Sequence, residues 1–194
     1  CLAELIYQSE LPVSPMQQRK LLELEQQWLF PLRNALIVTR LQQLALRDTL
    51  TGLGNRRYFD DAIQKALQLT ERKQQPMVLI LLDLDNFKQV NDNFGHQAGD
   101  GVLCGLVQRL QQRLRPYDLL ARFGGEEFVV LLSDTDADGA YALAEDLRRE
   151  VEAMPFAAEG HVIPVTVSLG VATLYPTGAP AEADRLLARA DTAD

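Results

Sequence analysis

Asp83 and Asp85 stand at the end of Met77–Leu84, an apolar run with β-branched Val78 and Ile80 that is short and bounded, as a strand buried on both faces should be. Two residues apart, their carboxylates fall on one side of that strand. Core packing has no use for them, and a hard divalent ion prefers such oxygen ligands. The alternative is that they only open the following loop by capping its turns. Both readings stand for Asp85, whereas Asp83, closer to the core, reads as a metal ligand. A second stretch, Arg122 to Phe128, reads Arg-Phe-Gly-Gly-Glu-Glu-Phe. Gly124 and Gly125 permit close backbone approach to a ligand, while Glu126 and Glu127 project from the turn. Glycine and acid are common in any tight turn, but together with Asp83 they form a candidate cradle for metal and phosphate.

The composition narrows what such a cradle could serve. The net charge of −8, with 19 basic residues scattered among 27 acids, argues against a surface for a nucleic-acid polymer. A phosphorylated ligand would then need a local cation, which a bound divalent metal supplies. Two cysteines are too few for a disulfide framework and fit a reducing cytoplasm. No apolar stretch approaches the roughly 20 residues of a membrane span, since Trp28 to Val38 is interrupted by Pro31 and Arg33. The start at Cys1 has no leader-like succession and reads as the start of a fragment.

The elements that must position these residues are legible as changes of period. Residues 1 to about 47 are rich in Leu and Gln, with Leu22, Leu29 and Leu36 seven apart and Leu32 between them, which predicts helix. Pro31 is expected to break this helix in two or to open its second piece, where Ile37, Leu41 and Leu44 follow helical spacing. The segment reads either as a stalk pairing with a second chain, at the end of an upstream regulatory region, or as an extension packed on the domain. Asn55 caps a helix carrying Phe59, Ile63, Ala66 and Leu67. After the strand comes a polar loop, Asn86 to Gly99, then a helix from about Asp100 to Leu114 with Leu103, Val107 and Leu110 on one face. Strands at about Leu119–Phe123 and Glu127–Leu132 flank the glycine turn. A helix through Ala140, Ala144, Leu147 and Val151, a strand at about Val165–Leu174, and a helix from near Glu182 to the last residue complete the chain. The order β, α, β, β, α, β predicts an α+β fold of the ferredoxin-like, split βαβ kind, with helices covering one face of a mainly antiparallel sheet.

Several motifs recur in one order. Asp48 to Arg57 reads Asp-Thr-Leu-Thr-Gly-Leu-Gly-Asn-Arg-Arg, Asp83 to Asp92 reads Asp-Leu-Asp-Asn-Phe-Lys-Gln-Val-Asn-Asp, and Phe94, Gly95, His96, Gly99 and Asp100 follow before Gly-Gly-Glu-Glu-Phe. Over residues 47–194 the chain resembles the GGDEF family of diguanylate cyclases, in its Gly-Gly-Glu-Glu-Phe form. The resemblance implies a fold related to nucleotide cyclases and polymerase palms, dependence on magnesium with manganese as the alternative, and a homodimer in which each subunit holds one GTP. It divides the chain into residues 1–46, a helical stalk or the end of an upstream domain, and residues 47–194, the cyclase domain with its C-terminal end missing. The upstream helices are weakly similar to those that follow a globin-type sensor in some bacterial cyclases.

The resemblance also implies roles. Asp83 and Glu126 would bind magnesium by side chain and Leu84 by its carbonyl. Glu126, and after it Glu127, would hold a second ion or take the proton when a ribose 3′ hydroxyl attacks the α-phosphorus of the opposite GTP. Lys88 would offset charge on the phosphate. Asn91 and Asp100 would recognise guanine, with Phe87, His96, Gly124 and Gly125 completing the substrate pocket. Asp100 could instead cap a helix, Asn91 could form an Asx turn, and Lys88 could be a solvated loop lysine. Arg115-Pro-Tyr-Asp118 matches the Arg-x-x-Asp pattern of the family's product-inhibition site, and otherwise reads as a helix-terminal Arg followed by a turn Asp. One departure is that the Lys and Arg segment with which related enzymes grip phosphate is missing after the last helix. No Gly-Lys pair occurs, so a P-loop is disfavoured. A module that binds GTP or cyclic di-GMP without turnover is the competing expectation.

Overall fold

A computed structural model describes residues 14–176 and 183–191. The chain forms two compact units, Cys1–Ala45 and Leu46–Asp194. In the first, helix α1 (Pro15–Leu44) is continuous, and Pro31 lies inside it. The expected break is absent: a proline removes one backbone hydrogen bond and strains one turn, a cost of ~3 kcal/mol that a helix of 30 residues absorbs. A reciprocal capping box starts it. The Ser14 N–H donates to the Gln17 side chain at 3.0 Å, the Gln17 N–H donates to Ser14 Oγ at 3.4 Å, and Pro15 takes the first helical position. Leu22, Trp28, Phe30, Leu32 and Leu36 are all exposed on this unit, Trp28 at 68%. The side chains of Leu41 and Leu44 lie outside the described residues.

The second unit is built on a four-stranded sheet in the order β2-β3-β1-β6, where β1 is Met77–Leu84, β2 Leu119–Arg122, β3 Glu127–Ser133 and β6 Val167–Leu174. All three pairings are antiparallel. With α4 (His96–Arg113) between β1 and β2, and α5 (Ala137–Ala153) between β3 and β6, this is the expected ferredoxin-like arrangement. Helices, however, cover both faces of the sheet. Met77, Leu79, Val129 and Leu131 pack with α2 (Arg56–Lys73) and α6 (Ala183–Asp191), while Val78, Ile80, Leu82, Phe128 and Val130 turn the other way towards α4 and α5. The reason is in the strands, since β1 and β3 are apolar at successive positions and alternation sends them to opposite layers. Each fully buried Leu, Ile or Phe contributes ~1.5–3 kcal/mol.

Two further differences bear on the site. Residues 86–99 are no loop: Phe87–Phe94 forms a short helix, α3, and α4 starts at His96, four residues before the expected position. Phe87 and Val90 are its buried face, a pattern only two turns long and hidden by the polar residues between. A two-stranded hairpin, β4 (Phe156–Ala158) and β5 (His161–Ile163), precedes β6 and had no clear signal in its three-residue strands. Arg109 of α4 anchors it, with its guanidinium 3.7 Å above the Phe156 ring and donating to the carbonyls of Met154 and Pro155. The helix expected from Glu182 is α6, and its continuation past Asp191 lies outside the described residues.

At the centre of β6, Gly170 meets the end of α6: a Cβ there would lie 1.7 Å from the Ala190 carbonyl oxygen. Because the obstacle is backbone, Gly170→Ala is expected to destabilise the domain by ~1–3 kcal/mol in urea unfolding. An unchanged midpoint would show that α6 does not hold this close approach.

Candidate active site

Asp83 occupies the seventh position of β1, opposite Glu127 on β3 and Ser168 on β6. Directly opposed residues project from the same face of a sheet, so the Asp83 and Glu127 carboxylates lie side by side where the apolar interior of β1 gives way to polar residues. Glu126 closes the turn one residue earlier. Burial raises the Asp83 pKa to about 6, and the negative charges of Glu126, Glu127 and Asp85 push it the same way. The strand tip and the glycine turn therefore bring their acids together.

Asp85 behaves differently. Its carboxylate accepts from the hydroxyls of Thr166 at 2.5 Å and Ser168 at 2.6 Å, and its N–H donates to the Thr166 carbonyl at 3.0 Å. It fastens the end of β1 to the start of β6, a role that neither reading of the sequence included. Leu84 is buried, and Lys88 is exposed on α3.

The turn itself is held from three sides. The Glu127 carbonyl accepts from the N–H groups of Phe123 and Gly124 at 2.8 and 3.3 Å. The Glu127 carboxylate lies over Gly124, where a Cβ would be 2.3 Å from Oε2, so this glycine makes room for the acid. Gly125 is exposed, and its carbonyl accepts from Nε and Nη2 of Arg122 at 3.0 and 2.6 Å. Nη1 of the same arginine donates to both oxygens of Asp48, at 3.0 and 3.1 Å. Burial alone would raise the Asp48 carboxyl, but the hydroxyl and amide of Thr51 and the Arg122 guanidinium together hold it below its ordinary value. Phe123 packs edge-to-face on Phe59, ring centres 5.7 Å apart, beneath the Arg56 guanidinium. No role for Asp48, Arg122 or Phe123 was drawn from the sequence, although all three sit inside or beside the motifs. An acid in one motif and an arginine in another were the available signal.

A second group forms where α3 meets α4. Asn91 lies within α3, so it makes no Asx turn, and its side-chain oxygen would be 2.1 Å from a Cβ at Gly99. Asp100 is exposed inside α4, not at its cap, which removes helix capping as its role. His96 is exposed at the first position of α4. Phe87 is only 7% exposed and belongs to the core under this junction, so it does not present an open ligand surface.

The third group is separate. A pocket of about 590 Å³ is lined by Arg115 and Asp118, with Tyr58, Tyr117 and Arg47 around them. Asp118 does act as a turn residue, its Oδ2 accepting from the Arg115 N–H at 2.9 Å, but its Oδ1 is buried without a partner.

Among the described residues no group of three or more acidic, His or Cys side chains is placed as a ready metal cage. Magnesium asks for less, typically one or two carboxylates with water and substrate phosphate completing its shell. Asp83 with the hairpin acids is an all-oxygen donor set whose crowded charge fits a hard divalent ion.

A raised carboxyl pKa means that the folded chain holds the proton more tightly than the unfolded one, so stability falls as pH rises from the ordinary value of 3.8 to about 6. Asp83→Asn cannot ionise and is expected to melt ~2–5 °C above the unaltered chain in metal-free buffer at about pH 7.5, with no difference below about pH 3.5. Melting at or below the unaltered chain at the higher pH would show that the acids do not crowd one another.

The description "Diguanylate cyclase, GGDEF domain" fits residues 45–193 in a comparison with protein families. Diguanylate cyclase DgcS of Shewanella oneidensis is 38% identical over 185 residues, 95% of this chain and 60% of that protein. The response regulator PleD of Caulobacter vibrioides is 42% identical over 151 residues, 77% of this chain and 33% of its own length. The chain thus spans less than two thirds of these relatives. The crystal structure of the coiled coil and GGDEF domain of DgcB from Caulobacter crescentus, in complex with c-di-GMP, superposes with a TM-score of 0.77 at 29% identity, covering 92% of this chain and 91% of that one. With that family description fitting most of its length, the chain belongs to the GGDEF domain family of diguanylate cyclases.

Proposed function

We propose that this chain is the catalytic part of a diguanylate cyclase that condenses two GTP into cyclic di-GMP with release of two pyrophosphates. The observation that carries the reading is the pairing of Asp83 with Glu127, next to Glu126, across adjacent strands. In each half-reaction a 3′ oxygen bonds to the α-phosphorus of the other GTP, the bond to pyrophosphate breaks, and the hydroxyl proton leaves. Asp83 and Glu126, with the Leu84 carbonyl, would hold magnesium, or manganese in its place, which when bound supplies positive charge for the phosphates and acidifies the hydroxyl. Glu126, with Glu127 beside it, would receive the proton. Lys88, exposed on α3, can reach outward to phosphate charge. Asn91 and Asp100 offer guanine an amide and a carboxylate from neighbouring helices, His96 stands at the same junction, and Gly124 and Gly125 let the nucleotide approach the turn. Arg115 and Asp118, which line one pocket, would bind the product.

Each subunit would hold one GTP, so the condensation requires two subunits facing each other. The exposed apolar side chains of α1 and the coiled coil of the DgcB structure, which aligns with most of this chain, support reading α1 as a homodimerising stalk. Among the described residues no helix is long and apolar enough to cross a membrane. GTP as substrate and an unpaired Cys104 fit the cytoplasm.

Incubated with GTP and magnesium, the chain is expected to form cyclic di-GMP, and Glu126→Ala to lower the rate at least ~100-fold, followed by chromatography. Equal rates would remove Glu126 from the chemistry, and tight dinucleotide binding with zero turnover in the unaltered chain would favour the binding module instead. Removing residues 1–44 is expected to shift the chain towards monomer in sedimentation and to make the remaining activity rise steeply with protein concentration. Unchanged oligomeric state and rate would refute the stalk.

A further inference from the structure

The pocket around Arg115 and Asp118 has a second wall whose cation the Arg-x-x-Asp pattern does not include. Arg47 precedes the Asp-Thr-Leu-Thr-Gly turn and is fixed by main chain, its backbone bridging Gly54 and Gly54 in turn bridging Ala121 of β2. The residue thus rides on the same sheet edge that Asp118 leads into. Its guanidinium lies 5.8 Å from the centre of the Tyr58 ring, and Nη1 donates to the Gly52 carbonyl at 3.1 Å. Arg115 stands at the same distance from Tyr117. Two arginines, each beside a tyrosine ring, therefore line with Asp118 a cavity of about 590 Å³.

The chemistry of these groups divides naturally. A carboxylate in the pocket wall suits the N1 and N2 hydrogens of guanine. A cyclic dinucleotide also brings two phosphodiester charges into a chain whose own net charge is −8, and one arginine neutralises only one of them. We propose that Arg47 is the second cation of this pocket, binding a phosphodiester of cyclic di-GMP while Arg115 and Asp118 hold its guanine. The inference rests on the reading of Arg115 and Asp118 as the product site. It adds a specificity element on the sheet edge, since a guanine base alone can engage Arg115 and Asp118 but brings no phosphodiester to Arg47.

Calorimetric titration of the 194-residue chain with cyclic di-GMP tests this, with Arg115→Ala defining any background from binding elsewhere. Arg47→Ala is expected to weaken the Arg115-dependent binding about 10- to 100-fold, the effect of losing a hydrogen bond to a charged group. Arg47→Lys, which keeps the charge and part of the packing, is expected to stay within about threefold, because lysine serves phosphate as a point charge. Binding abolished by Arg115→Ala but untouched by Arg47→Ala would overturn the assignment of Arg47 and leave the product site standing. Equal losses in the alanine and lysine variants would overturn the phosphodiester contact, and no binding by the unaltered chain would overturn the product site and this proposal together.

Discussion

The guanidinium of Arg122, at the end of edge strand β2, joins the adjacent glycine turn at Gly125 to the turn at Asp48, 74 residues earlier in the chain. Its side chain and that of Asp48 are 16% and 20% exposed, so the pair is shielded enough for its geometry to matter. An ion pair of this kind, made by one nitrogen to both carboxylate oxygens with two further bonds to a carbonyl, is worth on the order of 1–3 kcal/mol, and removing one partner would leave the other poorly solvated. Its larger effect is positional. A turn with two glycines has little conformational preference of its own, and Arg122 fixes its carbonyl while Phe59 and Arg56 fix the neighbouring Phe123.

That fixed turn makes the crowding of acids at the strand tip sustainable. Asp83 is pushed towards a higher pKa by burial and by three neighbouring carboxylates, an arrangement that opposes folding at neutral pH. Functional sites commonly retain such costs because the charge is there to be neutralised by a ligand. Here the apolar sheet, buried between two helix layers, carries the stability, and the acids are confined to the end where the layers stop.

What the sequence made legible follows from the length of each signal. β1 matched its expected limits residue for residue, because eight successive apolar or bounding residues leave no other reading. The Asn55 cap was equally direct, its side chain accepting from the Tyr58 N–H at 3.2 Å. α3 was missed because two buried residues, Phe87 and Val90, make too short a period to stand out against Lys88, Gln89, Asn91 and Asp92. That error moved the start of α4 and created the false alternative of Asp100 as a cap. The site acids were visible as motif positions, and Asp83 already read differently from Asp85, but the partners of Asp85 were not visible. Only the fold brings Thr166 and Ser168 against Asp85, 81 and 83 residues away in sequence. The Arg122 clamp was hidden for the same reason, since 74 residues separate it from Asp48.

The alternation along β1 carries a consequence for its length. Met77, Leu79 and Asp83 share one face of the sheet, and Val78, Ile80 and Leu82 the other. Inserting one residue between Ile80 and Asp83 would rotate the acid into the opposite layer and bring a leucine against Glu127. An insertion just after Lys73, where α2 has ended, would merely lengthen a surface connection. Strand count and helix packing could survive either change, but only the second would leave the chemistry in place, so the spacing within this one strand is the least negotiable dimension of the domain.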